Sequence, residues 1–360
     1  MLSRSLPRLI WLNAVLLAGA FLAGPFALSQ ADAALLYLAD RRGSNVGGDS
    51  VMRFDTTTGL GTDFYQTGEG STNIMAAITG PDVNGDGIDD LYISDANPGR
   101  FTVADGVTGT EIEDIQDEND VGRDVFDGGR GMAALGDKVY IAYHTRGDGK
   151  IGVYDAASDA YTPAVFDVPG DPYGLAIDAT GATMWATWGL DSGVTKIDLL
   201  TEVQTDYDFT TAGENWQITV GPDGKLYFIT QLSGDDAVMR FDPDDPEGTI
   251  EQLLAPNEIA NDHQFEGLAF GPDADDAVGP FDVLYVTDSW NDSIYRFNVL
   301  EDAVNGPSLG FIDVFADADD GIQQPHFIHI APVPEPSTFA LLALGGIACA
   351  LGAYRRRWRG

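Results

Sequence analysis

One phrase recurs six times along this chain, and it leaves few folds open. Its clearest copy is Leu284–Asn298, LYVTDSWNDSIYRFN: a short apolar run, the polar turn DSWND, and a second run. Two strands joined by a tight loop are the natural reading. The first run is apolar on both faces, which predicts a sheet covered on both sides. The other copies are LYLAD…SVMRFD, LYISD…RFTVAD, VYIAY…KIGVYD, MWATW…GVTKID and LYFIT…AVMRFD. Their aligned aromatics, Tyr37, Tyr92, Tyr140, Trp185, Tyr227 and Tyr285, stand 55, 48, 45, 42 and 58 residues apart. A period of roughly 40–55 residues with several short strands per repeat marks propeller blades. The expectation is an all-β fold, one six-bladed propeller. Function must then lie in the loops and the central channel, not in the repeat.

Two further strands complete each blade. An inner strand precedes the central pair, as in Gly174–Asp178, Gln217–Val220 and Gly267–Phe270, and an outer strand follows, as in Val203–Phe209 and Thr249–Leu254. Turn residues separate them, as in Asp178–Gly181 and Gly221–Gly224. The first copy lacks an inner strand, since Leu35–Asp40 opens directly on its second one, while Phe327–Ala331 is left over at the other end. The last strand is therefore expected to complete the first blade, closing the ring and removing both sheet edges. Phrases such as PYGLAIDATGATMWATW and EGLAFGPD…VLYVTD make the chain resemble NHL-type and gluconolactonase-like propellers.

Charge and cysteine usage bound the chemistry. The formal net charge is −38, which argues against nucleic acid or anionic lipid as a partner of the folded part and favours cations. The one cysteine, Cys349, sits in a C-terminal apolar segment, so the propeller has no disulfide, cysteine nucleophile or thiolate metal site.

Both ends read as addresses. Arg4 and Arg8 precede an apolar run, Leu9–Ala27, and Ala31-Asp32-Ala33 offers small residues for cleavage. Residues 1–33 are thus expected to be a signal peptide removed by signal peptidase, the alternative being an uncleaved anchor. At the other end Val333-Pro334-Glu335-Pro336-Ser337 is followed by an apolar segment, Phe339–Tyr354, and by Arg355, Arg356, Arg357 and Arg359. This order resembles the PEP-CTERM sorting signal, over residues 333–360. The resemblance implies export through the inner membrane, recognition and cleavage near Pro334-Glu335-Pro336 by an exosortase-type protease, and then a cell-surface or extracellular location. Sixteen apolar residues make a helix of about 24 Å, short of a ~30 Å hydrocarbon core, and the arginines would hold its end in the cytoplasm. A transmembrane helix over 339–354 of this length suits a transient anchor. Removing both ends leaves 13 basic and 55 acidic residues over 34–332, a charge near −42.

One loop carries metal chemistry. Asp82, Asn84 and Asp86 alternate, Gly87 allows a sharp turn, Ile88 supplies a carbonyl, and Asp90 follows at the ninth position. That is the oxygen spacing a compact calcium loop requires, and calcium is the expected structural cofactor. With Leu91-Tyr92-Ile93 behind it, the loop resembles an FG-GAP calcium loop between two inner strands. It departs from that pattern by occurring once, and it lacks the terminal glutamate and helices of an EF-hand. The acidic insertion Asp273–Asp282 lacks such spacing and reads as a solvated loop.

The residues before each inner strand should converge on one channel mouth: Asn73, Arg130, Tyr173, Asn215 with Glu214, His263 with Glu266, and His326. The gluconolactonase resemblance implies a metal there that polarises a lactone or ester. No nucleophile motif or triad accompanies these residues, and His326 and His329 can equally be satisfied strand histidines. The first reading is a non-enzymatic binding or structural protein of the cell surface, with extracellular polysaccharide as a partner. The alternative is a metal-dependent lactonase or esterase acting in the channel.

Overall fold

A computed structural model describes residues 34–332, apart from 42–48, 68–72, 97–99, 116–128, 146–147, 190–191, 210–212, 232–235, 254–258, 260–262, 273–281 and 303–305. The leader over 1–33, the sorting segment over 333–360 and most of the acidic insertion lie outside the described residues. Among those described, no helix is long and apolar enough to cross a membrane.

Six four-stranded antiparallel sheets follow one another in sequence. Blade 1 takes its second, third and outer strands from Ala34–Asp40, Ser50–Asp55 and Gly61–Gln66, and its inner strand from Pro325–Pro332 at the far end of the chain. Leu36 pairs with Ile330, Tyr37 with His329 and Leu38 with Ile328, so the ring closes as the leftover strand required. The other inner strands are Ile74–Gly80, Met132–Leu135, Pro172–Ile177, Glu214–Val220 and Phe265–Gly271. The outer strand of blade 5 is shorter than its apolar pattern suggests, Glu251–Leu253. Pro246–Thr249 instead forms one helical turn, capped by the Asp245 carboxylate accepting the Gly248 amide, with proline at its start.

The aligned aromatics glue neighbouring blades together. Tyr37, Tyr92, Trp185, Tyr227 and Tyr285 are all buried. Tyr92 meets Tyr154 of blade 3, Trp185 meets Phe241 of blade 5, and Tyr227 meets Phe270 of blade 6, at centroid distances of 6.2, 5.3 and 4.9 Å. Such pairs add about 0.5–1.5 kcal/mol each beyond the area they bury.

A second contact, two residues further on, ties the inner strands. Ser94, Thr187 and Thr287 occupy equivalent positions, and their hydroxyls donate to the carbonyls of Arg130, Trp216 and His326 in the next blade at 2.6, 2.6 and 2.8 Å. The inner strands can come this close because glycine faces the neighbour. A Cβ on Gly131, Gly174 or Gly267 would lie 2.4 to 2.6 Å from the carbonyl oxygen of Tyr173, Trp216 or His326.

Candidate functional site

The inner strands are not regular. In blade 6, Phe265 pairs with Asp288 and Leu268 with Val286, so Glu266 and Gly267 together face Thr287. This is a β-bulge, with two residues opposite one. Blades 2, 4 and 5 shift register at the equivalent place, as does the closing strand of blade 1. The first residues of these bulges are Met75, Tyr173, Trp216, Glu266 and His326. Blade 3 has no such shift, and there Arg130, two residues ahead of the inner strand and bonded to Ala142, takes the equivalent place.

Two chemically different arcs result. Along one, the Arg130 guanidinium lies over the Tyr173 ring at 4.1 Å, with its Nη1 3.9 Å from the Met75 sulfur. Tyr173 in turn packs on Trp216 at a centroid distance of 4.9 Å. Burial pushes the Tyr173 hydroxyl above its usual pKa, with Arg130 pulling the other way. Along the other arc, the Glu266 carboxylate contacts His326 Nδ1 and accepts the Ser289 hydroxyl at 2.9 Å. Glu266 and His326 are both buried. With Nδ1 facing the carboxylate, His326 Nε2 is left buried with no protein partner.

Between the arcs is a cavity of about 310 Å³, rimmed by Arg41, Asn73, Gln264, Trp290 and Gln324. Four buried polar atoms of its lining lack a partner: Asn73 Oδ1, Arg130 Nε, Trp216 Nε1 and His326 Nε2. Buried polar groups are nearly always paired, so a concentration of unpaired ones in one cavity marks a place that receives a ligand or water.

Of the residues singled out in the sequence, Asn73, Arg130, Glu266 and His326 line this cavity, and Tyr173 packs against Arg130. Asn215 and His263 do not line it. Asn215 pairs with Thr230, ahead of the bulge, and its side chain donates to the Gly193 carbonyl at 3.1 Å inside the sheet. His263 stacks on Phe265 at 4.3 Å with Nε2 3.2 Å from the Asp236 carbonyl. For Asn215 the bulge is the reason: counting back from the apolar run goes one residue past Trp216. Met75, Trp216, Ser289, Trp290 and Arg41 escape that count. The in-strand glycines Gly174 and Gly267 are the signal that reveals the shift in their blades.

Below this mouth the channel is filled. The Gln217 side-chain oxygen accepts the amides of Leu268 and Ile328 at 2.9 and 3.1 Å, its nitrogen donates to the Ile328 carbonyl at 2.7 Å, and Phe327 packs against Trp216. The opposite mouth is a second cavity of about 510 Å³ with a mainly apolar lining that includes Ile177, Val220, Phe270 and Ile330. His329 meets Thr79 there at 3.0 Å, and burial lowers its pKa to about 4.

The Asp82–Asp90 loop joins the inner and second strands of blade 2. Gly85 and Gly87 have φ of 77° and 87°, which glycine tolerates and other residues resist. Asp82 accepts the amides of Gly85, Asp86 and Gly87, Asn84 accepts that of Asp86, and Asp86 accepts that of Ile88. Asn84, Asp86 and Ile88 are exposed. Asp90 is buried beneath them, accepting the Val83, Asn84 and Gly106 amides, and burial raises its pKa against those bonds. Among the described residues no three acidic or histidine side chains stand close enough to share an ion. The loop fits calcium in part: its exposed oxygens are suitable, while the Asp90 carboxylate is buried and taken up by the Val83, Asn84 and Gly106 amides.

Residues 332–357 match the PEP-CTERM protein-sorting motif, which implies export and processing by an exosortase, a membrane protein. No curated protein matches the chain. Many solved structures share its fold. A chain of the nidogen/laminin complex is 13% identical with a TM-score of 0.60, covering 83% of this chain and 98% of that one. A catalytically inactive virginiamycin B lyase from Staphylococcus aureus, with quinupristin, is 13% identical with a TM-score of 0.51, covering 79% and 86%. A Bacteroides fragilis protein provisionally named a 6-phosphogluconolactonase is 12% identical with a TM-score of 0.50, covering 85% and 99%. These identities establish the propeller fold and nothing finer.

Proposed function

We propose that this exported propeller works at the cell surface as a binding protein, and that its working site is the polar channel mouth ringed by Arg130, Trp216, Glu266 and His326. The observation that carries this reading is the group of four unpartnered polar atoms on residues that line one cavity of about 310 Å³. Pockets near the lower end of the 300–1,000 Å³ range hold small ligands, and a few convergent polar groups give them specificity. A panel of small metabolites screened by ligand-observed NMR against the full chain and His326→Phe tests it. Ligands lost in the variant support the site, while binding indifferent to His326→Phe contradicts it.

A hydrolytic reading has one observation on its side. Glu266 holds His326 in the tautomer whose Nε2 can take a proton in the cavity, which is the posture of a general base. In a metal-assisted version His326 Nε2 and Asn73 Oδ1 would be the unengaged ligand-type atoms, with Glu266 orienting His326 through Nδ1. Lactone and ester turnover by wild type, absent in Glu266→Gln, would establish this second reading.

Calcium at the Asp82–Asp90 loop is a separate proposal. Its support is the alternation of oxygen ligands and the turn that Gly85 and Gly87 permit. The ion would tie one hairpin and take no part at the mouth.

A further inference from the structure

We infer that the channel mouth takes a polyhydroxy carboxylate, a sugar acid of the hexuronate kind, either free or at the end of an acidic polysaccharide. This rests on reading the mouth as a binding site and adds the chemistry of what it binds.

The first argument concerns where the cations go. Four blades spend a basic residue of the third strand on an acid of the outer strand: Arg100 on Asp114 at 2.9 Å, Lys150 on Asp167 at 2.6 Å, Arg240 on Glu251 at 2.5 Å and Arg296 on Asp313 at 2.7 Å. In a chain with 19 basic and 57 acidic residues such pairing is easy to come by. Arg130 has no carboxylate partner among the described residues. It is held flat by Tyr173, with Nε–H buried and unpaired, and Trp216, on the other side of Tyr173 and lining the same cavity, has Nε1–H unpaired. A pre-oriented guanidinium with a neighbouring N–H donor matches a planar carboxylate, which accepts two parallel hydrogen bonds.

The second argument comes from the opposite arc. Glu266 is already occupied by Ser289 and His326, so it does not reach for the ligand. Its charge nonetheless disfavours a doubly charged phosphate in so small a space. What remains open there is His326 Nε2 and Asn73 Oδ1, with the Gln264 and Gln324 amides on the rim. Groups of this kind satisfy hydroxyls, which both donate and accept. One face of the ligand is therefore anionic and the other hydroxylic.

The third argument is the rim. Trp290 borders the cavity and is 65% exposed, which leaves much of its indole open to a ligand. An indole face offers a rigid apolar platform to the C–H face of a sugar ring, and its low conformational entropy makes it a common anchor. A cavity of about 310 Å³ has room for one ring, so further units of a chain would pass over Trp290.

Calorimetric titration of the full chain in detergent tests this with glucuronate, glucose, acetate, inorganic phosphate and a tetrasaccharide ending in glucuronate. Glucuronate should bind at least tenfold more tightly than glucose, acetate or phosphate. Arg130→Gln should bring glucuronate down to the level of glucose, and Arg130→Lys should recover only part of the loss. Thermal melts of both variants check that the ring is intact. A tetrasaccharide advantage of tenfold or more that vanishes in Trp290→Ala identifies a polymer end, and equal affinities identify the free sugar acid. Phosphate binding best, or glucuronate binding unchanged by Arg130→Gln, overturns the inference. If no sugar acid binds while other small molecules bind in a manner sensitive to His326→Phe, the ligand class is wrong and the site stands. If nothing binds in that manner, the reading of the mouth fails as well.

Discussion

Stopping the chain at Gln324 removes the strand Pro325–Pro332 and with it the closure of the ring. Phe327, Ile328 and Ile330 are 2%, 1% and 9% exposed, so all three lose nearly complete burial. At about 1.5–3 kcal/mol for each such side chain, the loss is roughly 5–9 kcal/mol. A typical domain has only about 5–15 kcal/mol of net stability, so the truncation should consume most or all of it. It also bares the edge of Ala34–Asp40, which pairs with the lost strand over most of its length. Stopping at Pro332 instead leaves every described strand in place, and that is where the sorting motif begins. Urea unfolding followed by far-ultraviolet circular dichroism compares the two. The Pro332 chain should keep a single steep transition, while the Gln324 chain should show a broad, shallow one or none. Ile328→Ala, a milder version, should cost about 2–5 kcal/mol. An unchanged midpoint and slope for the Gln324 chain would refute closure as the source of cooperativity.

Three further outcomes follow from particular contacts. Gly267→Ala places a Cβ 2.4 Å from the His326 carbonyl, so urea unfolding should show a loss of about 1–3 kcal/mol and ligands of the mouth should weaken. Asp236, which accepts the Phe265 amide at 2.8 Å, is pushed up to about 7 mainly by burial. Unfolded, it titrates near ~3.9, so the native state holds a proton the unfolded chain has lost, and stability should fall as pH rises from about 4 to about 7. His329, lowered to about 4, gives the opposite slope over part of that range, so the readout is the difference between wild type and Asp236→Asn, in which His329 cancels. Millimolar calcium should raise the melting temperature if the loop site has a dissociation constant of ~0.1–1 mM, with about 2.7 kcal/mol gained at a hundredfold excess. Asp86→Ala should abolish that gain and magnesium should give less of it, whereas equal calcium responses in both proteins would place the ion elsewhere.

The ring itself was legible because it is written in local patterns. Apolar runs, turn residues and one aromatic per repeat each specify their own hairpin, and the missing inner strand of blade 1 has its counterpart in Phe327–Ala331. The mouth was legible only to within one residue. Arg130, Glu266 and His326 are found by counting back from the inner strands, but the bulge moves Trp216 into the place where Asn215 was expected. A one-residue slip in a strand reverses which face a side chain takes, so the error is small in sequence and large in chemistry. Asp90 shows a different limit. Its spacing suits a metal ligand, yet it serves the Gly106 amide of the neighbouring hairpin, a partner no local pattern displays. Gln217 likewise bridges to Leu268 and Ile328, strands of two other blades.

The central claim is that this propeller acts through its polar channel mouth. Hydrogen exchange of the full chain, with and without a hydrolysate of the host's own envelope polysaccharide, measures it directly. The account predicts added protection at amides around Asn73, Gly131 and Ser289–Trp290, and none at the turns Asp178–Gly181 and Gly221–Gly224 that flank the other mouth. Protection confined to those turns, or spread evenly over the blades, would contradict it.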